Sequence, residues 1–86
     1  MREITADYWI VEGKRVKLQI KTNVNQAELQ EILQDWTCTS FGFIPKTMED
    51  IYIFEKEFNK QKDLTRFINS DMINKQIKKR EVSENG

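Results

Sequence analysis

The chain has 86 residues, 38% hydrophobic and 33% charged, a balance that belongs to a folded soluble domain rather than a disordered one. Fourteen basic residues meet fourteen acidic ones, and this zero formal net charge argues against bulk attraction to nucleic-acid phosphate. With no histidine and one cysteine, Cys38, the chain lacks Ser-His and Cys-His nucleophile pairs, the commonest metal ligand, zinc spacing and an internal disulfide.

The opening MREITADYW holds no apolar core of a signal peptide, and no apolar run is long enough for a bilayer. A free thiol fits a reducing compartment, so the expectation is a cytoplasmic chain with no membrane partner. Abundant Lys, Asn and Ile with scarce Ala is the usage of AT-rich genomes, associated with microbes and their mobile elements. The length allows one domain, expected over residues 1–80.

Ile4, Ala6, Tyr8 and Ile10 alternate with Thr5, Asp7, Trp9 and Val11, and Val16, Leu18 and Ile20 alternate with Arg15, Lys17, Gln19 and Lys21. These are two half-buried strands around a turn at Gly13. A two-residue loop, Glu12-Gly13, would place Asp7 opposite Leu18 on the buried face, an expensive position for a carboxylate. A three-residue loop, Val11-Glu12-Gly13 with Gly13 left-handed, sets Tyr8 opposite Val16, Ala6 opposite Leu18 and Ile4 opposite Ile20. On the other face it pairs Trp9 with Arg15, Asp7 with Lys17 and Glu3 with Lys21. This register predicts Trp9 on the outer face beneath the Arg15 guanidinium.

Asn25 to Glu28 has the spacing of a capping box, and Leu29, Ile32, Leu33 and Trp36 form one helical stripe. Thr37–Ile44 reads as a third strand stopped by Pro45, and DIYIFEKEF as a fourth. Ile51, Tyr52, Ile53 and Phe54 are apolar in succession, so both faces of that strand are greasy. A second helix is expected from about Lys60 through Leu64, Phe67, Ile68 and Met72, either continuous or bent at Asn69-Ser70-Asp71, residues that prefer caps and turns. Ile73 and Ile77 would continue its stripe, with Lys75, Lys78, Lys79 and Arg80 at its C-terminal end. Residues 81–86 read as a frayed tail.

The order is therefore ββαββα, an α+β fold with a four-stranded, mostly antiparallel sheet and both helices on one face. Val16 and Leu18 match Ile51 and Ile53 at a spacing of about 35 residues, and Leu29 matches Leu64. Shared patterning of two β-β-α units explains this better than a duplication does.

Chemistry is thin. Three scattered glycines build no phosphate loop. The carboxylate pairs Glu28/Glu31 and Glu49/Asp50 are expected in water, where their pKa values stay together, and Cys38 reads as a small strand residue. No enzyme, metal site or cofactor is expected.

Binding surfaces remain. One is the outer sheet face, with Trp9, Arg15, Lys17 and Lys21 from the hairpin and Tyr52, Phe54 and Lys56 from the fourth strand. The other is the basic run Lys75, Lys78, Lys79 and Arg80. Aromatics among cations describe a protein hot spot and also a platform for single-stranded nucleic acid. The plainer alternative is that a homodimer partner or the tail covers Tyr52 and Phe54. Residues 23–50 carry five acids and one base, and such segregated charge suits docking to a protein. The preferred expectation is a small non-catalytic regulator or inhibitor docking on a larger protein; the alternative is single-stranded nucleic-acid binding.

Overall fold

The computed structural model describes residues 4–82. The elements run β1 (Ile4–Glu12), β2 (Arg15–Thr22), α1 (Gln26–Ile32), β3 (Thr37–Ile44), β4 (Glu49–Glu57), α2 (Gln61–Asn69), β5 (Met72–Ile73) and β6 (Ile77–Glu81). They form one sheet in the order β3-β4-β2-β1-β6-β5. Every neighbouring pair is antiparallel except β1 and β6. The α+β class with two helices agrees with the sequence; the sheet is larger than expected and mixed.

In the first hairpin Gly13 is left-handed (φ 55°), as the turn requires. The register differs from the expected one by two residues: Tyr8 opposes Leu18, Ala6 opposes Ile20 and Trp9 opposes Lys17. Glu12 pairs with Arg15 across Gly13-Lys14, a turn that by itself would put Val11 opposite Val16 and exchange the faces. The irregularity between Ile10 and Glu12 takes up Val11 as an extra residue, so Ile10 meets Val16 instead. Because the error is an even number, every side chain keeps its predicted face. The expected Glu3–Lys21 pair lies outside the described residues.

Ala6, Tyr8, Val16, Leu18 and Ile20 form one core with Leu29 and Leu64 from the helices and Leu33 just past the end of α1. Asn25 caps α1, its side-chain oxygen accepting from the Glu28 N–H at 2.9 Å. The helix ends at Ile32, short of the expected stripe. The Gln30 amide donates to the Leu33 and Trp36 carbonyls (2.9 and 2.8 Å), bracing the turn from which Trp36 enters the core.

Strand β4 corrects the sequence reading. Tyr52 and Phe54 face the helices, opposite Ile20 and Leu18, and are buried. Ile51 and Ile53 take the outer face. Four apolar residues in a row carry no alternation, so the neighbour strand sets the parity. Glu49, Glu55 and Glu57 share the parity of Ile51 and Ile53, which was the available signal.

The C-terminal region corrects it again. Helix α2 stops at Asn69, where the Ser70 hydroxyl donates to the Met72 carbonyl at 2.7 Å. Beyond it the chain forms a hairpin rather than more helix. Asn74 and Lys75 are both left-handed (φ 50° and 60°), and the Gln76 N–H donates to the Ile73 carbonyl at 3.1 Å. Lys78, Lys79 and Arg80 therefore stand on β6, with Lys75 in the turn before it. The open side of β1 offers β6 a backbone ladder that an isolated helix end could not match. Glu81 ends β6, and the Val82 N–H extends the ladder to the Tyr8 carbonyl at 2.8 Å. Residues 83–86 of the expected tail are outside the described residues. The 35-residue correspondence fails in the strands: Val16 and Leu18 are core, whereas Ile51 and Ile53 are not.

Candidate interaction surface on the open sheet face

Both helices pack on one side of the sheet, and among the described residues no element covers the other side. Strand alternation puts Lys78 and Arg80 there from β6, Asp7 and Trp9 from β1, Arg15, Lys17 and Lys21 from β2, and Ile51, Ile53 and Glu55 from β4.

Trp9 lies on this face as expected, half-buried, with a different cation beside it. The Lys17 ammonium sits 5.8 Å from the indole centroid. Arg15 turns to carboxylates instead, 3.6 Å from Glu12 and 3.9 Å from Glu55. Asp7 pairs with Arg80 rather than Lys17: Arg80 Nε and a terminal guanidinium nitrogen lie 2.9 and 2.8 Å from Asp7 Oδ1. This link across 73 positions of chain exists because β6 adds beside β1.

The basic run is divided. Lys78 and Arg80 face outward, while Lys79 points to the core side. Its ammonium is 4.6 Å from the Tyr8 ring centroid and 5.0 Å from that of Phe67, and donates to the Ile68 carbonyl at 2.8 Å. Burial lowers the Lys79 pKa, while nearby Asp71 and Glu81 oppose the shift. The Tyr8 hydroxyl donates to Glu81 at 3.2 Å, and its pKa is raised, by burial first and then by that carboxylate. Tyr52 is raised in the same way, by burial and then by Asp50, to which its hydroxyl donates at 3.3 Å.

Of the predicted surface residues, Trp9, Arg15 and Lys17 come together on the open face, and Tyr52 and Phe54 do not join them. Ile51 and Ile53 stand there instead.

On the helix side a cleft of about 490 Å³ borders Trp36, Phe58, Phe67 and Lys56. The three rings already touch one another, with centroids 5.5, 5.6 and 6.3 Å apart, which leaves no slot for a guest between them. Lys56 lies 4.9 Å over Phe58 and 3.9 Å from Asp35, so its charge is held by the protein itself. Among the described residues no cluster of three or more His, Cys, Asp or Glu side chains has the arrangement to hold a metal ion. No helix among them is long and apolar enough to cross a membrane.

No protein-family model, curated protein or solved structure matches this chain.

Proposed function

We propose that this chain is a non-catalytic protein-binding module, a small cytoplasmic regulator or inhibitor that docks on a larger protein through the open face of its sheet. The observation that carries the reading is a helix-free face on which Trp9, Ile51 and Ile53 stand half-exposed among charges that pair with one another. An aromatic anchor and two aliphatic side chains supply the desolvation energy of an interface centre. Asp7 and Arg80 arrive already hydrogen-bonded to each other, so a partner covers them at less cost than it would isolated ions. Lys17 and Lys78 then set the electrostatic pattern that a partner must complement.

The test is affinity capture from lysate of the source cells, identification of the captured protein, and calorimetry on the purified pair. Trp9→Ala and Ile53→Ser are each expected to weaken that pair by about 30-fold or more. A purified pair whose affinity ignores both substitutions, or a chain that captures nothing, overturns the reading.

A second reading, single-stranded nucleic-acid binding, is supported by the joining of Lys78 and Arg80 to Trp9 and Lys17 on one face, which gives an aromatic platform beside cations. It requires oligonucleotide affinity that falls steeply with salt and is lost in Trp9→Ala. The balanced net charge and the Asp7–Arg80 pairing favour the protein partner.

A further inference from the structure

We propose that β3 is the seam of a two-fold homodimer, in which two copies of this chain pair antiparallel through their β3 edges about Gly42. This surface is separate from the open face and the proposal does not rest on the docking function.

Strand β3 ends the sheet, so one side of its backbone pairs with no strand among the described residues. Edge strands are ordinarily protected by shortness, charge, a proline or a bulge. Over Thr37–Ile44 this one has no charge and no proline, and its one irregularity, between Cys38 and Ser40, leaves Ser40–Ile44 regular around Gly42. It also displays Phe41 and Phe43, 74% and 53% exposed, with Met48 in the adjoining turn at 70%.

What selects a second copy is self-complementarity. A symmetric antiparallel pair must set one residue opposite itself, because residues of unlike parity aim their hydrogen-bonding groups in opposite directions. With Gly42 on the axis, Phe41 of each copy faces Phe43 of the other, giving two cross-strand aromatic pairs. Glycine meets glycine between them, and no side chain obstructs the centre on the opposite face. An axis at Phe41 would instead set Thr39 against Phe43, a poorer match.

The electrostatics agree. An uncharged strand in a chain of zero formal net charge brings two copies together without like-charge repulsion. Size sets the strength. The exposed parts of the two rings amount to roughly 250 Å² per copy, about a third of what one side of a standard interface buries. The paired backbone and Met48 add to this without reaching standard size, so the dimer is a weak one, dissociating in the micromolar range or above. The result doubles the six-stranded sheet and leaves the open face free.

The experiment is sedimentation velocity from about 10 µM to about 1 mM, the span in which an interface of this size associates. The wild-type chain is expected to move from monomer to dimer. Phe41→Lys, at an exposed position, is expected to keep the far-ultraviolet circular dichroism and raise the dissociation constant by about 30-fold or more. In a Cys38→Ser background, mixing Phe41→Cys chains with Phe43→Cys chains is expected to give faster disulfide cross-linking between the two species than within either. A chain monomeric at about 1 mM overturns the proposal and leaves the edge to a foreign strand. A dimer indifferent to Phe41→Lys, or cross-linking fastest within the Phe41→Cys species, overturns it as well.

Discussion

The two edges of this sheet are built on opposite principles. At one end β5 has two residues and is closed off by a left-handed turn, while β6 beneath it is tied to β1 by a ladder and by the Asp7–Arg80 and Tyr8–Glu81 contacts. At the other end β3 has eight uncharged residues and two exposed phenylalanines. A protected edge spends its side chains on its own fold; an unprotected one leaves them exposed. The same chain does both, so the difference belongs to each strand's chemistry and not to the general character of the protein.

Substitutions at the two ends should separate them cleanly. The largest effect is expected from Ile77→Ala, because this fully buried side chain anchors β6 to the core. Denaturant unfolding should show a loss of about 2–5 kcal/mol. A loss below about 1 kcal/mol would mean that this edge is not held by its core contacts. Next comes Asn74→Ala, which places a Cβ-only side chain at φ 50° and removes the amide hydrogen bond to the Ile32 carbonyl. A cost of about 1–2 kcal/mol is expected from denaturant curves.

Alkaline titration probes the same edge, and two residues there oppose each other. The Tyr8 pKa is raised, so the folded state keeps a proton that the unfolded state loses above the ordinary value of 10.0. Its stabilising contribution is intact below that value and is lost as pH rises toward the folded pKa; Tyr52 behaves alike. The Lys79 pKa is lowered, so the folded state releases its proton first, and stability rises from that lowered pKa up to the ordinary 10.5. Lys79→Met should remove this opposing rise and steepen the alkaline fall. An unchanged profile in unfolding measurements across pH 8–11 would show that Lys79 is not desolvated beside Tyr8 and Phe67. The smallest effect is expected from Phe41→Ser, whose stability in dilute solution should stay within about 0.5 kcal/mol of wild type. A large loss would make β3 a structural edge and erase the contrast.

Much of the architecture was legible where pattern and period agree. The first hairpin alternates cleanly, and its faces survived a two-residue error in register because the side-chain period is also two. Asn25 announced the start of α1, Pro45 the end of β3 and Gly13 a left-handed turn. Legibility failed where local signals were silent or ambiguous. The run Ile51 to Phe54 has no period, and its parity comes from pairing with β2. Ile77 to Arg80 carries one apolar residue among cations, which reads as a helix end until β1 provides a ladder. Asn74-Lys75 reverses the chain without the Asn-Gly that would have marked it. The open face was misread accordingly: Trp9, Arg15 and Lys17 stand on it as expected, whereas Ile51 and Ile53 stand where Tyr52 and Phe54 were expected.

By itself the order of residues determined which segments alternate and where α1 is capped, since these depend on residue types and on neighbours a few positions away. Tertiary structure alone decided that β6 joins β1 in parallel, that Tyr52 and Phe54 turn inward, and that Arg80 reaches Asp7. Each of those outcomes depends on backbone groups and core space supplied by distant strands, and no local pattern carries that information.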